Sequence, residues 1–137
     1  MDKLSIWMVD DDPSVRDALL VFLQIAGFDV LAFESGESLL ERAESGGVAP
    51  GVLLLDQRLG AGMSGLDVQA ELNRRGVTVP IIFITGHGDA RMAQAALEQG
   101  AASFLEKPFH YQDLLNSIEK AAGQRSSDQQ QHPNGGQ

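Results

Sequence analysis

Asp10, Asp11 and Asp12 follow directly on the apolar run Ile6-Trp7-Met8-Val9, and Asp56 follows directly on Val52-Leu53-Leu54-Leu55. Thr85 comes straight after Ile81-Ile82-Phe83-Ile84, and Glu106-Lys107-Pro108 straight after Ala102-Ser103-Phe104-Leu105. These types and positions allow one chemistry in particular. An aspartate can act as a nucleophile and form an aspartyl phosphate. Converging carboxylates need a partner, because two unit charges about 5 Å apart repel by roughly 3 kcal/mol at an effective dielectric near 20. A hard divalent cation removes the conflict, and an oxygen donor set suits Mg²⁺, which takes one or two carboxylates plus phosphate oxygens. Thr85 can donate a hydrogen bond and Lys107 can supply a positive charge. Phosphoryl transfer is catalysed largely by such positioning and charge stabilisation.

Each residue taken singly has a plainer reading. Asp10-Asp11-Asp12 before Pro13 can be helix-capping residues, and Asp12 fits that role best. Asp56 and Thr85 can be turn residues at strand ends. Lys107 can be a solvated surface lysine, and Phe104 an ordinary core aromatic. His87, two residues past Thr85, has a weak claim to a catalytic part. Trp7 reads as core and His132 as solvated.

The elements that must position these residues alternate along the chain. Five short, continuous apolar runs read as strands buried on both faces: the four named above and Val30-Leu31-Ala32-Phe33. Between and after them lie helical patterns. Val15, Ala18, Leu19, Phe22 and Ile25 or Ala26 form an apolar stripe after Pro13 and stop at Gly27. Further helices are expected over about 37–44, 66–75, 90–99 and 111–122, ended by Gly46-Gly47, Gly76, Gly100 and Gly123. Strand–helix alternation with short connections implies a parallel sheet covered on both sides. In such a sheet ligands bind beyond the carboxyl ends of the strands, where the strand order switches direction. If the first and third strands are neighbours, Asp10, Asp11 and Asp56 converge there.

The whole chain agrees with one domain of 1–123 and a tail of 124–137. Its 137 residues, 43% apolar and 21% charged, are those of an ordinary soluble protein. The tail, from Gln124 to Gln137, carries no aliphatic or aromatic side chain and is expected to be a disordered, Gln- and Ser-rich linker or end. There is no cysteine, which rules out disulfides and thiolate metal sites and agrees with a cytoplasmic setting. No apolar run approaches the ~20 residues that span a bilayer, and the N-terminus lacks a signal peptide's pattern. The net charge of −9 disfavours direct nucleic-acid binding by this segment.

In their order along the chain these motifs resemble the receiver domain of two-component response regulators. The resemblance rests on Val9-Asp10-Asp11 with Arg16, Leu55-Asp56, Ser64-Gly65, Ile84-Thr85-Gly86 and Phe104-Leu105-Glu106-Lys107-Pro108-Phe109, and covers about 4–122. Thr85-Gly86-His87-Gly88-Asp89 with Glu106-Lys107-Pro108-Phe109 is most similar to FixJ-type regulators, whose output is a LuxR-type helix-turn-helix DNA-binding domain. The resemblance implies a flavodoxin-like (βα)₅ fold with strand order 2-1-3-4-5. It implies that Asp56 accepts a phosphoryl group from a sensor histidine kinase. It further implies that Asp11, Asp56 and the backbone carbonyl of Arg58 bind Mg²⁺ (or Mn²⁺) directly, with Asp10 acting through water. Thr85 and Lys107 would contact the phosphoryl oxygens, and Phe104 would turn inward as Thr85 moves. Lys107-Pro108 would be a cis peptide. Self-catalysed phosphorylation and hydrolysis, control of transcription through an output domain in cis, and a homodimer through the fourth helix, fifth strand and fifth helix are implied as well.

One stretch departs from the family pattern. After the third strand the usual Asp-x-x-Met/Leu-Pro-x-Met-x-Gly is replaced by Asp56-Gln57-Arg58-Leu59-Gly60-Ala61-Gly62-Met63-Ser64-Gly65, without the proline and one residue longer. Glycine widens the accessible backbone space, so a looser loop with less metal-ready geometry is expected. Three other readings compete. A haloacid-dehalogenase-like phosphatase would place its nucleophile at Asp10, although the chain is short for that class. A pseudo-receiver would bind without phosphorylation. A free-standing receiver would act by protein contact alone.

Overall fold

The central apolar runs become strands because their side chains fill both faces of one sheet. The edge strands, expected to be buried on both faces, leave Leu31 and Phe104 exposed, because no further strand or helix among the described residues covers them. The computed structural model describes residues 3–46, 49–86 and 89–134, the side chains of Ala90 and of 124–134 excepted. The elements alternate strictly: β1 (Ser5–Val9), α1 (Pro13–Ile25), β2 (Asp29–Phe33), α2 (Gly36–Glu44), β3 (Val52–Asp56), α3 (Gly65–Arg74), β4 (Ile81–Thr85), α4 (Ala90–Glu98), β5 (Ser103–Glu106) and α5 (Tyr111–Asn134). The strands are all parallel and stand in the order β2-β1-β3-β4-β5, as expected for a flavodoxin-like (βα)₅ fold.

Alternation along the strands divides the core in two. Trp7, Val9, Leu53, Leu55, Ile81 and Phe83 pack with Leu39 and Leu40 of α2, Val68 and Leu72 of α3, and Met92 and Ala96 of α4. Ile6, Met8, Val52, Leu54 and Ile82 pack with Leu19 and Leu23 of α1 and Leu114, Ile118 and Ala121 of α5. Burying one such large side chain is worth about 1.5–3 kcal/mol, so both layers are needed to hold the central strands. Trp7 is core, as expected, and its ring lies 5.4 Å from that of Phe33.

The helix ends follow local chemistry. Asp12 caps α1: its carboxylate accepts from the amides of Ser14 at 2.9 Å and Val15 at 3.5 Å, with Pro13 in the first turn. Asp12 is therefore the capping member of the acidic triplet, and Asp10 and Asp11 remain for other work. Gly27, Gly46, Gly76 and Gly100 follow α1 to α4 with φ of 104°, 87°, 74° and 105°, the left-handed conformation that ends a helix. Gly123 corrects the expected fifth stop. It is not among the positive-φ residues, and α5 continues through it to Asn134. A glycine inside a helix costs only about 1 kcal/mol against alanine, so it ends a helix only where the chain turns left-handed. Residues 124–134, expected as part of a disordered tail, are helical in their backbone. His87 and Gly47 lie outside the described residues.

Candidate functional site

Parallel pairing carries the candidate residues to one edge of the sheet. Val9 pairs with Leu55 across β1 and β3, so Asp10 and Asp56 come next on strands about 4.8 Å apart. Thr85 pairs with Glu106 across β4 and β5, and Lys107 follows. Backbone bonds secure these ends. The Asp10 amide donates to Phe33 O at 3.1 Å, the Gln57 amide to Ile84 O at 3.1 Å and the Lys107 amide to Thr85 O at 2.8 Å.

The result is a buried acidic pocket closed by one cation. Asp10 is 4% exposed and Asp56 6%. Lys107 Nζ donates to Asp56 Oδ2 at 3.0 Å and lies 3.8 Å from Asp10 Oδ2. Asp56 Oδ1 accepts from the Arg58 amide at 3.1 Å, and Asp10 Oδ1 from the Asp12 amide at 3.0 Å. The Arg16 guanidinium donates to the Asp10 backbone carbonyl at 2.8 Å, which pins the turn that leaves β1. The Lys107–Pro108 peptide is cis, as the resemblance implied.

The electrostatics follow from burial. Burial pushes the Asp10 carboxyl above its ordinary value; the Asp12 amide opposes this, and the charge of Asp56 adds to it. Burial would lower the Lys107 ammonium, but the hydrogen bond to Asp56 and the charges of Asp56, Asp10 and Asp12 outweigh it and hold the pKa above the usual lysine value. A carboxyl raised in the fold keeps a proton that the unfolded chain has already lost. Stability therefore falls as pH rises from about 3.8 through the folded pKa. Asp10→Asn removes that penalty and leaves Lys107 its partner Asp56. It is expected to melt higher than the unaltered protein near neutral pH in EDTA, and to gain less from added Mg²⁺. Scanning calorimetry checks both, and a lower melting temperature in EDTA would contradict the assignment.

Other expected residues take more specific places. The Thr85 side chain is buried and its hydroxyl donates to the Leu105 carbonyl at 3.4 Å rather than into the pocket. Phe104 is 41% exposed and lines, with Thr85, Ala93, Gln94 and Glu106, a recess beside α4. Its ring is turned outward, where a plain core aromatic would be buried. Asp11 is exposed, and a Cβ placed on Gly60 would lie 3.2 Å from its Oδ2. Gly60 has φ 76°, so the backbone there takes a turn and a close approach that a side chain would resist.

The loop expected to be loose is tied at several points. Gln57 Oε1 accepts from the Leu66 amide at 2.8 Å, and the Gly65 amide donates to Gln57 O at 2.9 Å. Leu59 is buried, and Glu37 of α2 accepts from the Met63 amide at 3.0 Å. Sequence reading missed Glu37 because its partner lies 26 positions away, and no local pattern marks such a pair.

Among the described residues no group of three or more His, Asp or Glu side chains is gathered into a ready metal cage. The donors that the geometry brings together at the pocket are the carboxylate oxygens of Asp10 and Asp56, with the exposed Asp11 carboxylate beside Gly60. That set fits Mg²⁺, which keeps several waters and takes few protein ligands, better than a soft or closed-cage metal.

The chain has relatives among known proteins. The response regulator receiver domain family matches residues 6–119. The chain belongs to that family. The response regulator protein TmoT of Ectopseudomonas mendocina is 45% identical over 116 residues, 85% of this chain and 51% of that protein. The transcriptional regulatory protein TdiR of Thauera aromatica is 40% identical over 117 residues, 85% of this chain and 50% of that protein. The crystal structure of the FixJ N-terminal domain superposes with a TM-score of 0.81 at 37% identity, covering 90% of this chain and 96% of that one. The protein is thus a receiver domain of the two-component type, and the chain spans about half the length of these curated relatives. No helix among the described residues is long and apolar enough to cross a membrane.

Proposed function

We propose that Asp56 accepts a phosphoryl group from the phosphohistidine of a sensor histidine kinase. A carboxylate oxygen of Asp56 attacks phosphorus, the phosphorus–nitrogen bond breaks, and the imidazole leaves with the electron pair. The observation that carries this reading is the buried Asp56 carboxylate with Lys107 Nζ 3.0 Å away. Lys107 neutralises charge that would otherwise grow as the anionic phosphoryl group arrives. Asp10, Asp11, Asp56 and the backbone carbonyl of Arg58 would hold Mg²⁺ (or Mn²⁺), with Asp10 acting through water. When bound, the metal offsets the negative charge of the carboxylates and the phosphoryl oxygens. The receiver catalyses its own phosphorylation and, by attack of water on the same phosphorus, its own hydrolysis.

Thr85 reaches the phosphoryl group by turning its hydroxyl away from Leu105. Phe104, now exposed, moves into the space this frees. The output is a shift of population between two arrangements of α4, β5 and α5. The same face serves a phosphorylation-dependent homodimer. In the whole protein, a helix-turn-helix output domain joined in cis beyond the receiver (1–123) through the linker of 124–137 would bind DNA and control transcription. The setting is the cytoplasm, with no direct nucleic-acid contact by this segment.

Acetyl phosphate tests the reading directly. The receiver in Mg²⁺ is expected to gain the mass of one phosphoryl group, located to the peptide that contains Asp56, and the gain is expected to vanish in EDTA. An equal gain in EDTA, or an adduct on another peptide, would overturn it.

A further inference from the structure

The loop between Asp56 and Gly65 lacks a proline and carries an extra residue, yet it is held close to α2. Glu37, in the first turn of α2, accepts a hydrogen bond from the Met63 amide at 3.0 Å. A Cβ on Gly62 would lie 2.7 Å from Glu37 Oε2 and 2.9 Å from Oε1, so the carboxylate sits directly against the Gly62 backbone. Beside it, a Cβ on Gly36 would lie 2.4 Å from Val68 Cγ2 and 3.5 Å from Met63 Cβ. The first turn of α2 thus seats against both the loop and Val68 of α3, with no room for a side chain at Gly36 or Gly62. Two residues before Gly62, Gly60 passes close to the Asp11 carboxylate. One short segment therefore touches the acidic pocket at Gly60 and α2 at Gly62 and Met63.

We infer that Glu37 is a positioning residue for the acidic pocket: by holding the Met63 amide it sets the path of the loop that carries Arg58 and Gly60 past Asp11 and Asp56. A hydrogen bond to a carboxylate is stronger than one between neutral groups, which suits a tether on an otherwise glycine-rich segment. The inference rests on the reading of Asp56, Asp11 and Arg58 as the phosphoacceptor and metal site. Glu37 touches neither phosphoryl group nor metal and acts only through the loop.

The test uses two readouts that need no phosphorylation: hydrogen exchange of the Met63 amide, and Mg²⁺ affinity by titration calorimetry with the metal alone. Glu37→Ala is expected to speed Met63 exchange and weaken Mg²⁺ binding about threefold to tenfold, less than the full worth of one such hydrogen bond because the loop passes on only part of it. Glu37→Gln keeps an acceptor oxygen without the charge and is expected to fall between the unaltered protein and Glu37→Ala. Gly62→Ala has no backbone strain, but its methyl displaces the carboxylate, so it is expected to reproduce Glu37→Ala. The double variant is expected to be no worse than either single one. Faster Met63 exchange with unchanged Mg²⁺ affinity would overturn the inference. So would a Glu37→Gln variant as impaired as Glu37→Ala, since the effect would then be long-range charge. Additive losses in the double variant would overturn it as well. A protein that binds Mg²⁺ with this dependence but takes no phosphoryl group on Asp56 sinks the phosphoacceptor reading and leaves the tether standing.

Discussion

Asp56→Asn is expected to abolish the phosphoryl adduct that the unaltered receiver forms from acetyl phosphate in Mg²⁺. The variant isolates chemistry from folding. Asparagine has the same shape, and its amide oxygen can keep the hydrogen bond that Asp56 Oδ1 accepts from the Arg58 amide. Lys107 loses its 3.0 Å partner but still has Asp10 Oδ2 at 3.8 Å, so the cation is not stranded. Asp10, raised by burial and by the charge of Asp56, loses the second of those pressures. Nothing in these contacts predicts unfolding, whereas an amide cannot act as the nucleophile. Intact-protein mass spectrometry and a melting curve on the same sample separate the two effects. An adduct of equal yield on the variant would move the nucleophile to another acid, Asp10 in the haloacid-dehalogenase-like arrangement. The geometry disfavours that: Lys107 Nζ lies 3.0 Å from Asp56 Oδ2 but 3.8 Å from Asp10 Oδ2, and burial pushes the Asp10 carboxyl toward its protonated form.

The sheet was legible in the sequence because its central strands are buried on both faces and read as unbroken apolar runs, while the half-exposed edge strands gave a weaker signal. The pocket was legible because a parallel sheet brings all its strand ends to one edge, so residues far apart in the chain could be placed together from their positions alone. Asp10 beside Asp56, and Lys107 beyond Glu106, follow from that register. Asp12, directly before Pro13, could be picked as the cap from its position alone, and it caps α1. What the sequence could not show was orientation. The Thr85 hydroxyl turns toward Leu105 and the Phe104 ring outward, and either choice fits the same residue types. The stop at Gly123 failed for a related reason. Glycine permits a left-handed turn without requiring one, and here the helix carries on. The Glu37–Met63 bond was invisible because it joins two loops-and-helix segments with no shared periodicity. In the glycine-rich loop the small residues serve close contact, with Gly62 against Glu37 and Gly60 beside Asp11.

Gly65→Ala is expected to damage both the fold and the phosphoacceptor, the latter through backbone geometry alone. Gly65 opens α3, its amide donates to Gln57 O at 2.9 Å, and no positive φ is involved. The obstacle is space. A Cβ there would lie 2.7 Å from the Asp56 carbonyl oxygen, 3.0 Å from Gln57 Cα and 3.0 Å from Phe83 Cε2. The first two are backbone atoms at the end of β3, and Phe83 is wholly buried, so no flexible side chain can yield. Overpacking of this kind costs about 1–3 kcal/mol, because the strand end or the helix must shift. The shift would fall on Asp56 itself, whose 3.0 Å bond to Lys107 and 3.1 Å bond from Arg58 depend on where β3 ends. Denaturant melts should show the loss of stability. At temperatures where the variant is still folded, its labelling by acetyl phosphate should be slower than that of the unaltered receiver. Gly76→Ala is the contrast: no atom lies within 4 Å of its Cβ position and its φ is 74°, so it strains the end of α3 without touching β3. It should lose stability and keep its labelling rate. If Gly65→Ala labels as fast as Gly76→Ala, the close packing behind Asp56 does not set the geometry of the acceptor.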